Sequence, residues 1–174
     1  MERYTLRAYG THTGAHMSGT ILIREATAAD ASSMASVLYD SFLEHKPEYT
    51  EQAFAATTPG AVVIASRMSK GPAWVALLDG VTVGTVAAVA RADGLYVRSM
   101  AVLPAARGHR IGELLLEHIE RFAHEQGCKR MYLSTTPFLA RAIRLYERWG
   151  FVREDAGPHE LFGTPLLTMA KALE

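Results

Sequence analysis

The chain has 174 residues, of which 49% are hydrophobic, and this composition predicts a folded chain with a sizeable core rather than a disordered one. Lys and Arg together number 18, as do Asp and Glu, so the chain lacks the basic excess typical of nucleic-acid-binding proteins. No apolar run reaches the roughly 18 residues that cross a bilayer, and the single cysteine, Cys128, fits a reducing compartment. We therefore expect a cytoplasmic protein with no membrane partner and no nucleic-acid partner.

Residues 1–20 carry Gly, Thr and His without sustained periodicity, so we expect a flexible tail there. The tail is native, a remnant of cloning, or an over-extended start that precedes a true initiator at Met17. No linker, repeat or low-complexity tract follows it. We therefore expect residues 21–174 to form a single domain.

The first elements are a strand over residues 21–25 and a helix whose apolar residues run to Phe42. Thr27 and Asp30 have the spacing of a capping box, which predicts the start of that helix. Residues 43–58 are polar and predict a loop or a short second helix. Residues 59–68 predict a further helix.

Three apolar runs joined by Asp-Gly dipeptides follow. Asp79-Gly80 and Asp93-Gly94 are strong tight-turn signals, so the runs predict an antiparallel meander. The predicted strands are residues 73–78, 81–90 and 95–103.

After Pro104 the apolar residues recur at the spacing of a helix face, which predicts a helix. This pattern continues to Gly127, a residue that suits the position just past a helix end. A strand over residues 131–135 follows, and a helix between two neighbouring strands makes them parallel. A second helix ends before Gly150. The last strands are residues 151–154 and 165–171, with a loop at 155–163 between them. The whole pattern predicts one α+β domain with a mixed sheet.

The segment "ARGHRIGELLL" places Arg107 and Gly108 immediately before a helix and Gly112 near its start. A helix start has free backbone N–H groups and a partial positive charge, which together favour an anion such as phosphate. Glycines let a ligand approach the backbone closely, and Arg107 adds donors. The alternative is an ordinary β-to-α turn with solvated arginines.

From about residue 21 to residue 173 the chain resembles the GNAT superfamily of N-acetyltransferases. The main match is "MAVLPAARGHRIGELLL", which is similar to the family's strand, proline and R/Q-x-x-G-x-G/A helix start. The segments "ARAIRLYERWGF" and "IREATAADASSMASVLYDSF" are similar to a later helix and to the opening strand and helix. Two positions depart from the family pattern: Arg110 stands in place of a glycine, and Leu139 in place of a frequent asparagine.

The resemblance implies a mixed, mostly antiparallel sheet flanked by helices on both faces, with a central parallel strand pair splayed for CoA. It implies acetyl-CoA as cosubstrate and no metal. Met100, Ala101 and Val102 would face the acetyl and pantetheine groups, and one of their N–H groups would hold the thioester oxygen. The residues implied at the pyrophosphate are Arg107, Gly108, His109, Arg110, Ile111, Gly112 and Glu113.

Arg110 raises a separate question, because the family's glycine has no side chain at this position. A backbone N–H of arginine serves a phosphate equally well. We therefore predict an ordinary helical φ at Arg110, with its side chain turned outward.

Tyr146 is the residue that the resemblance implies as proton donor to the departing CoA thiolate, since a phenol is protonated at neutral pH. The alternative is a core tyrosine, because Tyr146 also lies on the apolar face of its helix. No base is assigned: the strand over residues 95–103 has no glutamate. Three carboxylates lie in residues 43–58, the predicted loop or short helix: Glu44, Glu48 and Glu51. They would either act as a base through water or belong to a solvated face.

The resemblance implies an N-acetyltransferase in which a primary amine of a small molecule or peptide attacks acetyl-CoA directly, through a tetrahedral intermediate. The alternatives are a non-catalytic acyl-CoA-binding or regulatory module and the use of another acyl-CoA donor. Acceptor contacts are expected from residues 39–58 and 154–165. A homodimer is compatible with the resemblance.

Overall fold

The computed structural model describes residues 2–5 and 19–174. The strands are β1 Glu2–Thr5, β2 Thr20–Glu25, β3 Ala73–Leu78, β4 Val81–Arg91, β5 Gly94–Val102, β6 Arg130–Thr135, β7 Val152–Glu154, β8 Glu160–Leu161, β9 Thr164–Pro165 and β10 Leu167–Ala172. The helices are α1 Ala31–Phe42, α2 Glu51–Thr57, α3 Ala61–Met68, α4 Ile111–Glu125 and α5 Ala140–Arg148. Short 3₁₀ turns precede α1, α2 and α4 at Ala28–Asp30, Leu43–Glu48 and Pro104–Ala106.

Within the described ranges, eight strands form one sheet in the order β1-β2-β3-β4-β5-β6-β10-β7. Every neighbouring pair is antiparallel except β5 and β6, which are parallel because α4 connects them as a crossover. The mixed, mostly antiparallel sheet predicted from the sequence is therefore confirmed, as is its central parallel pair.

The two predicted Asp-Gly turns join β3 to β4 and β4 to β5. In the first, Asp79 and Gly80 both have positive φ, 50° and 83°, which is the backbone of a tight hairpin turn. The Asp79 carboxylate also accepts the Thr20 N–H at 2.9 Å, so this turn holds the start of β2. Local turn chemistry thus sets the register of the meander.

The helices cover both faces of the sheet. On one face α4 and α5 bury a large apolar cluster that includes Leu115, Ile119 and Tyr146. On the other face α1 and α3 bury a smaller cluster that includes Leu38 and Ile64. Within residues 2–5 and 19–174, no helix is both long and apolar enough to span a bilayer.

A third, aromatic cluster joins segments that are far apart in the chain. Tyr49 and Phe54 are buried beside Phe138, which follows β6, and Leu161, in the hairpin β8–β9. The Tyr49 ring lies 4.9 Å from that of Phe138, edge to face. This cluster attaches α2 and its preceding 3₁₀ turn to the end of the central strands.

Two segments differ from the sequence-based expectation. Glu2–Thr5 lie in the predicted flexible tail but pair with β2, because β2 presents an open sheet edge; residues 6–18 of that tail lie outside the described residues. The predicted loop 155–163 contains β8, which pairs with β9 around Phe162 and Gly163. Phe162 and Gly163 both have positive φ, which makes a tight hairpin turn. The alternation of apolar and polar residues does not reveal such a turn.

Asp30 anchors the start of α1. Its two carboxylate oxygens accept from the Arg24 guanidinium at 2.7 and 2.8 Å, and one of them also accepts the Thr27 N–H at 2.7 Å. This bonding, led by the Arg24 guanidinium, holds the pKa of Asp30 well below its usual range. The predicted Thr27–Asp30 helix start is therefore present, with an added ion pair to β2.

We predict that Asp30→Asn lowers the free energy of unfolding at pH 7 by about 2 kcal/mol, because Arg24 loses a charged, bidentate partner. Since folding depresses the pKa of Asp30, its contribution is complete above the unfolded pKa of about 4 and decreases as the pH falls further. Urea unfolding of both proteins from pH 7 to pH 2.5 should therefore show a difference that shrinks only in the acid range.

Asp40→Asn is the matched control, since Asp40 is an exposed residue of the same helix. An equal loss in both variants, or a difference between Asp30→Asn and the parent that does not change with pH, would contradict this assignment.

Candidate functional site

The central feature of the site is a bulge in β5. Ala87 pairs with Arg98 and Thr85 pairs with Ala101, so two residues of β5, Ser99 and Met100, oppose one residue of β4. Ser99 has a φ of 53°, in the left-handed region. The bulge turns the end of β5 away from its parallel neighbour.

The parallel ladder between β5 and β6 consists of Leu95 with Met131 and Tyr96 with Tyr132. Beyond Tyr96 the two strands separate. Among the described residues, β5 therefore has an open edge from Met100 to Val102 on the side of β6, while Ala101 and Val102 pair with β4 on the other side. An open backbone edge inside a sheet is a place for an extended ligand to bind.

The bulge also changes which side chains face each layer. Before it, Leu95 and Val97 face the α4/α5 layer; after it, Met100 and Val102 face that layer and Ala101 faces α1 and α3. The three residues expected near the acetyl group thus present side chains to both faces while sharing one open backbone edge.

The segment that precedes α4 has the geometry of an anion site. Gly108 and Arg110 have positive φ, 88° and 59°, and the chain enters the helix at Ile111. Within the part of the chain that the structure describes, the backbone N–H groups of residues 108–113 have no backbone acceptor. Consecutive free N–H groups at a helix start favour a phosphate.

The predicted helical φ of Arg110 is wrong. Arg110 is the N-cap of α4, in the left-handed region, and its carbonyl accepts the first helical bond from Leu114 at 3.0 Å. The chain must reverse direction between the 3₁₀ turn and α4, and glycine adopts the required φ without strain. The family's glycine therefore marks a backbone conformation, which Arg110 adopts at some energetic cost.

The side chain of Arg110 does point outward, since 74% of it is exposed, and its Nε donates to Glu113 at 2.7 Å. Glu113 also lies 3.8 Å from Arg148 of α5. His109 contacts the Ala106 carbonyl through its ring at 3.2 Å, so its side chain is turned back toward the 3₁₀ turn.

The two glycines of the segment serve different purposes. At Gly108 no atom of a described residue lies within 4 Å of where a Cβ would stand, so the positive φ is the reason for glycine. At Gly112 a Cβ would lie 2.8 Å from the side chain of Leu145, so the absence of a side chain lets α4 and α5 approach closely. Close packing of the two helices therefore accounts for Gly112.

Arg107 forms an ion pair with Glu44, a contact that the sequence did not indicate. Glu44 lies in the 3₁₀ turn before α2, far from Arg107 in the chain. The Arg107 guanidinium lowers the pKa of Glu44, which makes Glu44 a weak proton acceptor. Glu48 accepts from His45 at 2.8 Å, and Glu51 lies exposed in the first turn of α2.

Tyr146 is buried on α5, with its ring 5.8 Å from that of Phe151. Burial raises the pKa of the Tyr146 phenol, and the proximity of Tyr49 adds to this effect. The phenol therefore stays protonated throughout the neutral range. Tyr49 belongs to the aromatic cluster beside Phe138, so Tyr146 lies near the end of β6 where β5 and β6 diverge.

The two segments expected to contact the acceptor meet in the structure. The Thr50 hydroxyl donates to the Phe162 carbonyl at 2.8 Å, and the Thr50 N–H donates to the Thr164 hydroxyl at 2.9 Å. The hairpin β8–β9 is thereby held against the start of α2. No group of three or more His, Cys, Asp or Glu residues in the described ranges is arranged to bind a metal ion.

Residues 32–151, more than half of the chain, match the profile of the Acetyltransferase (GNAT) family. Two curated relatives are an IAA acetyltransferase of Azospirillum brasilense, 38% identical over 97 residues, and the N-acetylaspartate synthetase of Mus musculus, 34% identical over 102 residues. The matches cover 55% and 58% of this chain, and 62% and 34% of those proteins. The chain thus spans less than two thirds of these relatives.

Solved structures agree with the fold. The PaiA N-acetyltransferase of Thermoplasma acidophilum, in complex with coenzyme A, superposes with a TM-score of 0.74 at 18% identity, over 88% of this chain and 99% of that chain. A GCN5-related N-acetyltransferase of Rhodopseudomonas palustris gives a TM-score of 0.73 at 22% identity, over 91% and 100% of the two chains.

We predict that Arg110→Gly is more stable than Arg110→Ala by about 1 kcal/mol, because only glycine is unstrained at this φ. The lost ion pair to Glu113 is the same in both variants. Denaturant unfolding of the two proteins measures the difference.

The control pair is Arg144→Gly and Arg144→Ala, at an exposed position inside α5. There alanine should be the more stable residue by about 1 kcal/mol, since glycine destabilises a helix interior. The same order of stability at both positions would contradict the left-handed backbone at Arg110.

Proposed function

This chain belongs to the GNAT family of acetyltransferases, and from that premise we propose that it transfers an acetyl group from acetyl-CoA to a primary amine. The observation that carries the proposal is the open edge of β5 at Met100 to Val102, beside a helix start with free N–H groups. The two features match an extended thioester arm and a pyrophosphate, respectively.

Two groups of residues are suited to acetyl-CoA. The N–H groups of residues 108–113 would hold the pyrophosphate, with Arg107 as an additional donor. Glu44 is already bound to Arg107, so this carboxylate would share the guanidinium with a phosphate or release it. The bound cosubstrate supplies an acyl carbon activated as a thioester.

The residues of this chain would act on the reacting atoms in two ways. An N–H group of Met100, Ala101 or Val102 would donate to the thioester oxygen as negative charge develops there. The acceptor nitrogen forms the new C–N bond, the C–S bond breaks, and Tyr146 would donate its proton to the departing sulfur. The phenolate would then recover a proton from the acylated nitrogen or from solvent.

The acceptor proposed is a primary amine of a small molecule or a peptide. Its path to the open edge of β5 would run between the hairpin β8–β9 and the 3₁₀ turn before α2, which Thr50 holds together. Side chains of the aromatic cluster would line that path.

A second candidate is a non-catalytic acyl-CoA-binding module with the same fold. It is favoured by one observation: β5 has no carboxylate, and Glu44 is a weak base because Arg107 lowers its pKa. Release of CoA with a broad panel of amines distinguishes the two. A thermal shift with acetyl-CoA but no release on any amine would favour the module.

We predict that Tyr146→Phe lowers kcat at least about tenfold, because the departing thiolate loses its proton donor. The affinity for acetyl-CoA should change little, since the ring keeps its place against Phe151. Turnover is measured by reaction of released CoA with a thiol reagent, and affinity by calorimetry.

Tyr96→Phe, at a tyrosine of β5 whose ring packs on Tyr132 away from both acceptor segments, is the matched control and should keep the parent's kcat. If Tyr146→Phe has the same kcat as the parent, Tyr146 has only the structural role of a buried aromatic residue.

A further inference from the structure

The 3₁₀ turn before α2 carries a histidine, His45, at the place where β5 and β6 end. The ring of His45 lies 6.0 Å from that of Phe138, which follows β6. Its chain neighbour Glu44 forms an ion pair with Arg107, which follows β5. The turn therefore contacts both segments that lead out of the two separated strands, at the same end of the sheet as the open edge of β5.

The imidazole of His45 is held in one orientation by Glu48. Its Nδ1 lies 2.8 Å from a carboxylate oxygen of Glu48. Because an ionised carboxylate only accepts hydrogen bonds, Nδ1 carries the proton of this pair. Nε2 is then the nitrogen that can take up a proton. A carboxylate that fixes the tautomer of a histidine is the arrangement that orients a general base.

The second ring nitrogen of His45 lies where a proton can be accommodated. The side chain is 28% exposed, so part of it is open to solvent. Nε2 lies 3.7 Å from Oε1 of Glu44, so a proton on Nε2 would stand beside a negative charge. Glu44 itself is a weak base, because Arg107 lowers its pKa. An imidazole ordinarily titrates closer to neutral pH than a carboxylate does.

The proposed reaction needs a base that β5 does not supply. A primary alkylamine is protonated at neutral pH, and it cannot attack a thioester until it has lost a proton. β5 contains no Asp or Glu. Tyr146 has the opposite task, because burial raises the pKa of its phenol and keeps it a proton donor. The base must therefore come from another element beside the separated strands.

We propose that His45 is the general base of the transfer and that Glu48 is its positioning residue. This inference rests on the proposed function and assigns one of its steps. Nε2 takes a proton from the ammonium group of the acceptor, directly or through one water molecule. The neutral amine then forms the C–N bond, the C–S bond breaks, and Tyr146 protonates the departing sulfur. The attacking nitrogen returns its extra proton to the Tyr146 phenolate, and His45 releases its own proton to solvent.

The other charged groups near His45 titrate outside the neutral range. They come from its own turn, from the segment before α4 and from α5: Glu44, Lys46, Glu48, Arg107 and Arg141. Carboxylates ordinarily titrate near pH 4, and lysine and arginine above about pH 10. A change of rate between about pH 5 and pH 8 that disappears in His45→Gln is therefore attributable to the imidazole.

The test compares two acceptors that differ in basicity, using the full chain and acetyl-CoA. One is the best alkylamine of the amine panel, and the other is its β,β-difluoro analogue, whose amine is much less basic. His45→Gln should lower kcat/KM for the alkylamine about a hundredfold at pH 7. For the analogue the loss should stay below about threefold, because much of this amine is already neutral. The loss with the alkylamine should shrink as the pH is raised toward about 10.

Three further variants separate the two roles. Glu48→Gln should lower kcat/KM for the alkylamine by roughly tenfold, less than His45→Gln, because the imidazole remains and loses only its orienting partner. Added imidazole should restore part of the activity of His45→Ala and none to Glu48→Gln. His124→Gln is the matched control, since His124 lies on α4 with Glu120 at 4.0 Å, and it should keep the parent's kcat/KM. A thermal shift with acetyl-CoA equal to the parent's shows that each variant is folded.

Two results would overturn the assignment of His45 while the proposed function stands. One is a parent-like kcat/KM in His45→Gln with the alkylamine. The other is an equal loss with both amines that added imidazole does not relieve in His45→Ala, which is the result of a structural role. Failure of the proposed function gives a different pattern, namely no CoA release by the parent with any amine and any acyl-CoA, and it removes the base as well.

Discussion

The bulge at Ser99 is the constraint on which the rest of this structure depends. One extra residue in β5 ends the parallel pairing with β6 after Tyr96 and leaves the backbone from Met100 to Val102 unpaired on one side. A regular strand would continue the ladder and close the sheet. The same extra residue reverses the direction of every later side chain, so Ala101 faces α1 and α3 and Val102 faces α4.

The helix start beyond β5 depends on backbone conformation more than on side chains. Gly108 and Arg110 both have positive φ, and this geometry aligns the free N–H groups of residues 108–113. Arginine tolerates the left-handed region poorly, so the chain retains a strained residue where it borders the proposed phosphate site. Strain that the surrounding structure maintains at a ligand site is typical of functional segments.

The segments proposed to contact the acceptor are distant from one another in the chain. Thr50 holds the hairpin β8–β9 against α2, and the aromatic cluster fixes both beside the end of β6. These contacts hold the proposed acceptor segments together near the point where β5 and β6 separate.

Much of the fold follows from the sequence because its determinants are local. Asp79-Gly80 and Asp93-Gly94 specify turns through the φ values that these residues adopt, and the strand–helix–strand order implies the parallel pair. The segment around Arg107 was recognisable as a candidate anion site for the same reason. Tertiary structure decided the rest: the ion pair of Arg107 with Glu44, 63 residues apart, depends on a contact that no local pattern encodes. It also decided the φ of Arg110, since the direction in which α4 must leave the sheet outweighs the intrinsic preference of arginine.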